Sequence, residues 1–321
     1  MEKAVIAIHG GAGAITRASM SAEREQAYIA ALSEIITQGQ ALLAAGGSAL
    51  DAVTEAVRLL EECPLFNAGV GSVFTHQGTH ELDACIMDGR SLDAGAVAGV
   101  SRIRNPILAA RAVLESSPHV LLIGEGAETF AFENALDAVN PALFSTPERW
   151  AQLQQVRDGE ALLLDHDAPP LDERHKMGTV GAVALDRAGN LAAATSTGGM
   201  TNKRVGRVGD SPIPGAGCYA NNANVAVSCT GTGEVFMRTL AAYDIAALME
   251  YAGLSLQQAT ERVVMEKIPV LGGSGGLIAV DNEGNLAMPF NSEGMYRAFA
   301  RVGDAPTVGI YRERTEGGEH G

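Results

Sequence analysis

In the run Lys176-Met177-Gly178-Thr179-Val180-Gly181, a charged, proline-broken stretch leads directly into an apolar strand that opens on threonine. These residue types at this spacing suit a cleavable bond. Gly178 tolerates a strained backbone, and the Thr179 hydroxyl lies next to the preceding carbonyl, poised for an N-to-O acyl shift. Cleavage would free the Thr179 α-amine, whose reference pKa of about 7.7–8.0 suits a general base at neutral pH. An amino-terminal threonine then carries nucleophile and base in one residue. The plainer reading is that Thr179 opens a strand, where threonine is common.

Other residues can serve the same chemistry. Thr197 ends the strand that returns through the hairpin at 187–190, so its hydroxyl can come beside Thr179 and orient it. A strand-end threonine bonding locally is the alternative. Thr230-Gly231-Thr232-Gly233 stands between a strand and a helix. Exposed N–H groups there, with the Thr230 hydroxyl, can stabilise charge developing on a carbonyl oxygen, although a simple strand–helix turn looks the same. Arg207 and Asp210 lie three apart in a polar, Gly-rich loop with Arg204 close by. Together they offer a guanidinium for a carboxylate and a carboxylate for an ammonium, the two groups of a free amino-acid head. As an exposed ion pair they would contribute only about 0–1 kcal/mol. Asn67, in the turn after the second helix, can bond the nucleophile or a tetrahedral intermediate. His9, His76, His80 and His175 form no metal-ligand spacing, and a neutral or solvated histidine is expected at each.

The elements that position these residues read as follows. A buried strand over 4–9 ends in the glycine turn Gly10-Gly11-Ala12-Gly13. Ser21 caps a helix to about Ala45, and Ser48 caps a second over 49–62. Strands at 81–87 and 94–100, a helix after Asn105-Pro106, a strand at 119–123 and a helix over 125–138 follow. From about 140 to 178, prolines and dense charge interrupt all periodicity, which predicts a mobile linker. The second half contains an echo: 181–192 and 276–287 both read as apolar strands joined by Asp-x-x-Gly-Asn hairpins. Between them lie a strand at 223–229 and helices over 234–251 and 255–267. Strands and helices cluster rather than alternate. The expected fold is therefore α+β, a single four-layer αββα sandwich with two mainly antiparallel sheets between helical layers.

Composition bounds the rest. Hydrophobic residues make up 46% of 321, enough for a sizeable core, while aromatics are 5% and glycines number 38, so the core must be Ala, Val, Leu and Ile packed around tight turns. The net charge of −15 disfavours nucleic acid and anionic membrane as partners. Cys63, Cys85, Cys218 and Cys229 are too scattered for a zinc ribbon and are expected as buried thiols. The amino-terminal apolar run is too short for a signal peptide, and no segment is long enough to span a membrane, so a cytoplasmic location is expected. Two rival readings stand. Gly11-x-Gly13 and Gly272–Gly276 could cradle a nucleotide phosphate, but lack the third glycine or the Gly-Lys-Ser/Thr. A non-catalytic binding protein would not need Thr179, Thr197, Arg207 and Asp210 in register.

Several blocks in order carry a family likeness: His9-Gly10-Gly11-Ala12-Gly13, Phe66-Asn67-Ala68-Gly69-Val70-Gly71, Glu81-Leu82-Asp83-Ala84, Gly178-Thr179-Val180-Gly181, Thr195-Ser196-Thr197-Gly198-Gly199, Arg207-Val208-Gly209-Asp210-Ser211-Pro212 and Thr230-Gly231-Thr232-Gly233-Glu234. In this spacing the chain resembles, nearly end to end, the isoaspartyl peptidase and plant-type asparaginase family of N-terminal nucleophile (Ntn) hydrolases, closest to the bacterial type. The resemblance implies a zymogen that cuts itself between Gly178 and Thr179 into an α subunit, 1–178, and a β subunit, 179–321, which pair as a dimer of αβ heterodimers. It implies hydrolysis of β-aspartyl (isoaspartyl) dipeptides and asparagine by Thr179 through a β-aspartyl ester. Thr230 and Gly231 would form the oxyanion site, Arg207 and Asp210 would hold the substrate head group, and the Gly233 carbonyl would lie by the substrate amine. No catalytic cofactor is implied. A structural sodium ion held by the carbonyls of Leu60, Glu61, Cys63, Phe66, Ala68 and Val70 is. Many relatives carry Asp where Gly178 stands; bacterial-type members share the glycine. Secretion signals and disulfides of the lysosomal type are lacking, and the linker is short for a threonine endopeptidase.

Overall fold

A computed structural model describes residues 4–163 and 178–312. Its strands are β1 (Val5–Gly13), β2 (Leu82–Asp88), β3 (Ala94–Val100), β4 (Leu121–Ile123), β5 (Val180–Leu185), β6 (Leu191–Thr197), β7 (Cys218–Ala220), β8 (Val225–Gly231), β9 (Gly275–Asp281), β10 (Leu286–Ala287), β11 (Gly294–Arg301) and β12 (Thr307–Tyr311). They form an eight-stranded sheet, β12-β11-β1-β5-β6-β2-β3-β4, and a four-stranded one, β10-β9-β8-β7. Every pairing is antiparallel except β3 with β4. The helices are α1 (Ala22–Ala44), α2 (Ala49–Glu62), α3 (Pro106–Ser116), α4 (Gly124–Glu133), α5 (Pro147–Leu163), α6 (Gly233–Thr239), α7 (Ala241–Ala252) and α8 (Leu256–Glu261).

Side-chain alternation along β1 divides the core. Ile6 and Ile8 pack with α1 and α2 residues such as Leu32, Ile36, Val53 and Leu60, whereas Val5 and Ala7 face the other sheet, against Ala226, Ile278 and Val280. The second sheet turns Val227, Cys229 and Leu277 to Ile245, Ala246 and Val263. The result is the expected α+β sandwich of four layers, αββα. Between the sheets the side chains are small (Ala7, Ala12, Ala193, Ala226), which is where the aromatic-poor, alanine-rich composition goes.

Helix starts follow local chemistry. Ser21 and Ser48 accept the N–H groups of Arg24 and Asp51, capping α1 and α2 where expected. Three expectations need correction. The glycine run after His9 is not a turn: β1 continues through Gly13, paired to β11, with a bulge between His9 and Gly11. Extended backbone that feeds no helix cannot cradle a phosphate, which removes the nucleotide reading at that site. The expected 140–178 linker contains α5, because Pro147 supplies its first turn and the Thr146 hydroxyl accepts the Arg149 N–H. The rest of that linker, 164–177, lies outside the described residues. Finally, the helix expected over 234–251 divides into α6 and α7 at Leu240, whose φ is +48°.

Among the described residues no helix is long and apolar enough to cross a membrane, and no group of three His, Cys, Asp or Glu could hold a metal ion. The cysteines are unpaired, three of them buried and Cys63 half-buried.

Glu61, in the last turn of α2, ties this framework to the far end of β6. Its Oε1 accepts the Ser196 hydroxyl at 2.7 Å and the Ile107 N–H at 2.9 Å. Burial pushes its carboxyl up to about 8, against the pull of the Ser196, Ile107 and Asn105 donors. The folded chain thus keeps Glu61 protonated where the unfolded chain ionises it, and stability is lost as pH rises from about 4.5 to about 8. Glu61→Gln should match the parent near pH 4 and exceed its unfolding free energy by about 4 kcal/mol at pH 8. Urea denaturation at both pH values measures this; equal gaps at the two would refute it.

Candidate active site

β5 enters the large sheet between β1 and β6, with Gly181 opposite His9 and Val180 opposite Ser196. That register brings Gly178 onto the β1 bulge. A Cβ on Gly178 would lie 2.3 Å from the Gly11 Cα and 2.6 Å from the Ala12 nitrogen; one on Gly11 would lie 2.6 Å from the Gly178 Cα. Gly11 also has φ +108°, a conformation open essentially to glycine. The two backbones therefore touch without side chains, and Thr179 follows at the mouth of β5, 8% exposed.

Thr179 lies in a cavity of about 20 Å³ with Gly178, Thr197, Arg207, Asp210, Ser211, Gly231 and Gly233. Such a space holds about one water. The structure thus brings together most of the residues singled out from the sequence. The partner of the Thr179 hydroxyl is Ser211, Oγ to Oγ 3.1 Å. Thr197 shares the cavity, but its Oγ1 accepts the Gly199 N–H at 2.9 Å. Thr230 is buried directly behind Gly231, its Oγ1 accepting the Ala12 N–H at 3.2 Å, which ties the end of β8 to β1. Asn67 stands one step away. It donates from Nδ2 to the Gly199 carbonyl at 2.7 Å and accepts the Val73 N–H on Oδ1 at 2.9 Å, holding the turn that carries Thr197.

The charged pair is built tightly. A Cβ on Gly233 would fall 2.8 Å from Arg207 Nη2 and 3.0 Å from Asp210 Oδ1, so a side chain there would displace the tips of both. Arg207 and Asp210 do not pair with each other. Arg207 donates to both oxygens of Glu234, at 2.8 and 3.0 Å. Asp210 is buried, its Oδ2 lacks a hydrogen-bond partner, and burial raises its carboxyl to about 7 against the opposing pull of its own backbone and of Arg207. A buried carboxylate in this state is strongly favoured by an incoming cation. Beneath Thr179, His9 Nε2 lies 2.9 Å from Ser228 Oγ, and Ser228 is 2.9 Å from Thr195 Oγ1. Burial holds the imidazole neutral, its pKa lowered to about 3 despite the Thr179 backbone nearby. His80 is lowered to about 4 by burial, also as expected of a neutral histidine, while His175 lies outside the described residues.

Sequence reasoning passed over Ser211, Glu234 and the His9–Ser228–Thr195 group. Ser211 and Glu234 each lie in a block already singled out, directly after Asp210 and Gly233. That adjacency was the available signal. Nothing in the sequence links His9 to Ser228, 219 positions away.

The family model described as asparaginase matches residues 2–310. The chain belongs to the asparaginase family. Its four layers are accordingly those of the Ntn hydrolase fold. It is 72% identical to the isoaspartyl peptidase of Salmonella typhimurium, over 98% of this chain and all of that one. It is 71% identical to the isoaspartyl peptidase of Escherichia coli, over 98% of each. A putative isoaspartyl peptidase/L-asparaginase of Dictyostelium discoideum is 55% identical over 94% of each chain.

The Gly11–Gly178 contact makes a direct prediction for this family member. Gly11→Ala meets both a left-handed φ and a backbone clash, and should cost about 3 kcal/mol. Gly46→Ala meets φ +87° but nothing within 4 Å, and should cost about 1 kcal/mol. Chemical denaturation of the two variants, each made in a Thr179→Ala chain so that Gly178 stays joined to β5, ranks them; equal losses would show that the contact at Gly178 is not tight.

Proposed function

We propose that this chain is a threonine-nucleophile amidohydrolase that cuts itself between Gly178 and Thr179 and then hydrolyses β-aspartyl dipeptides and asparagine. One observation carries the reading: Thr179, the orphaned Asp210 carboxyl and Arg207 share a cavity that Gly178 still lines and that has room for about one water. Substrate needs the space that the Gly178–Thr179 linkage occupies. The relatives named isoaspartyl peptidase support the substrate class.

In self-cleavage, the Thr179 Oγ adds to the Gly178 carbonyl carbon, the C–N bond breaks, and water hydrolyses the resulting ester to leave a Gly178 carboxylate and a free Thr179 amine. In turnover, Thr179 Oγ attacks the β-carbonyl of the substrate and passes its proton to that amine. The amine protonates the departing nitrogen as the C–N bond breaks. Water then attacks the β-aspartyl ester and releases aspartate. Ser211 and Thr197 orient the hydroxyl, and Thr230 and Gly231 face the oxyanion. Arg207 takes the α-carboxylate, while Asp210 and the Gly233 carbonyl take the α-ammonium.

A sodium ion at the turn after α2 is a further part of the proposal. The carbonyls of Leu60, Glu61 and Cys63 each accept one backbone N–H there and keep a second lone pair. With the carbonyls of Phe66, Ala68 and Val70 they are neutral oxygen donors, suited to a hard monovalent cation with a structural role. The subunits, 1–178 and 179–321, are proposed to assemble as a dimer of αβ heterodimers.

The intact mass of freshly purified, denatured protein tests the reading. Two species meeting at Gly178/Thr179 are expected, with a single uncut and inactive chain for Thr179→Ala. Cleavage in that variant would remove Thr179 from its role.

Asp210 sets a pH dependence. As pH falls through about 7 its carboxylate is protonated and loses its hold on the substrate ammonium, while the Thr179 amine, with a reference pKa of about 7.7–8.0, is protonated in the same range. The acid limb of kcat/KM should therefore steepen towards a slope of two, and Asp210→Asn should flatten it towards one while lowering kcat/KM by about 100-fold. An unchanged limb in the variant would refute the assignment.

A further inference from the structure

A second cavity adjoins the first. It measures about 200 Å³, ten times the space around Thr179, and Gly178 lines both. Its apolar wall is Met20, Leu65 and the aromatic group Tyr28, Phe66 and Tyr296, in which Tyr28 and Tyr296 stack at 4.1 Å and Phe66 meets them edge-on. Two arginines also line it, in different states. Arg24 is held by Glu148 at 2.5 Å and lies over the Tyr28 ring. Arg149, at the start of α5, is 3% exposed, and its bonds are to neutral acceptors, the Gly71 carbonyl at 2.6 Å and Gln152 Oε1 at 3.1 Å. Among the described residues its Nη2 has no hydrogen bond and its charge no bonded carboxylate. A buried guanidinium in this state is costly, and a carboxylate delivered to it is worth more than the same contact in water.

The side of the nucleophile on which this cavity lies decides what it can hold. On the proposed mechanism the proton leaves Thr179 Oγ, passes through the Thr179 amine and goes to the departing nitrogen. The departing group must therefore lie on the amino side of Thr179. Gly178 occupies that side, and the larger cavity continues beyond it. The head-group residues Arg207, Asp210 and Gly233 line only the smaller cavity.

We propose that the larger cavity is the leaving-group subsite, in which Arg149 binds the free α-carboxylate of the second residue of a β-aspartyl dipeptide and the Tyr28–Phe66–Tyr296 wall takes that residue's side chain. This rests on the hydrolase reading above and adds a specificity to it. Dipeptides with an apolar or aromatic second residue and a free carboxyl end fill the subsite. Asparagine, which releases ammonia, leaves it unused.

The test compares β-aspartyl-leucine, its carboxy-terminal amide and asparagine on the processed enzyme. The amide should be about 10–100-fold poorer in kcat/KM than the free acid, the change lying in KM, as expected for loss of one charged contact. Arg149→Met should erase the difference between acid and amide, and Arg149→Lys, which keeps the charge, should retain most of it. Should Arg149→Met fail to fold or process, the parent enzyme and Arg149→Lys still decide the matter through the acid/amide ratio. Equal turnover of acid and amide by the parent, or discrimination that survives in Arg149→Met, would overturn the subsite while leaving the hydrolase reading intact. Failure of the parent on all three substrates would instead overturn that reading, and the subsite with it.

Discussion

The site depends on one contact without side chains, that of the Gly178 backbone with the bulge of β1 at Gly11. Because β5 pairs with β1 directly after it, the contact fixes where the strand begins and hence where Thr179 faces. The same absence of Cβ recurs three residues on. A Cβ at Gly181 would sit 1.9 Å from the Ser228 Oγ and 2.6 Å from the His9 Nε2. At this point the small sheet comes down on the large one, through Ser228 to His9 and through Thr230 to the Ala12 N–H. Two sheets that elsewhere are separated by packed Ala and Val side chains here touch through backbone and hydroxyls. Thr179, the Thr230–Gly231 segment and the Gly178–Thr179 peptide converge there because no side chain holds the layers apart.

Such convergence buries polar groups, and the chain keeps them neutral or leaves them unpartnered. His9 and Glu61 are each held in the uncharged form by burial, and each braces a strand next to the site. Neutral groups with fixed hydrogen bonds position neighbours without filling the site with charge. Asp210 differs, since its Oδ2 is unpartnered and burial carries its carboxyl only to about 7. In surroundings this dry, a cation at Asp210 interacts far more strongly than it would at a surface. Arg207 is steadied from outside by Glu234, which aligns its guanidinium without closing the cavity it lines. Arg207 and Asp210 are thus held in opposite ways, one by a counter-charge and one by lacking it.

The sequence carried most of the layer order, since alternation in 5–8, the two Asp-x-x-Gly-Asn hairpins and the serine caps are all local signals. It failed where context overrides locality. Gly10–Gly13 has turn composition, but pairing with β11 keeps it extended. Pro147 looks like a breaker, but serves as the first residue of α5, where its missing N–H costs nothing. Leu240 has no local reason to take a positive φ. At the site, residues grouped in blocks were legible: Arg207, Asp210 and Gly233 do meet. Partner choice was not. The Thr179 hydroxyl meets Ser211, and Asn67 holds the Gly199 turn, because these contacts depend on the packing of loops far apart in sequence.

Strand order explains why a cut at Gly178–Thr179 would not take the molecule apart. In the large sheet, β12 and β11 come from the segment after Thr179, β1 from the segment before it, β5 and β6 from after it, and β2, β3 and β4 from before it. The two segments interleave at three seams, β11 with β1, β1 with β5, and β6 with β2. Each seam is a full antiparallel ladder, and β1 lies with a strand of the other segment on either side. Separation would break all three ladders and expose both faces of a sheet buried between helices and the second sheet, whereas the cut removes one peptide bond at a strand entrance. The interleaving also determines what the cut can change. A new Thr179 amine stays where β1 and β6 hold its strand, and freedom is gained only on the Gly178 side, towards the larger cavity.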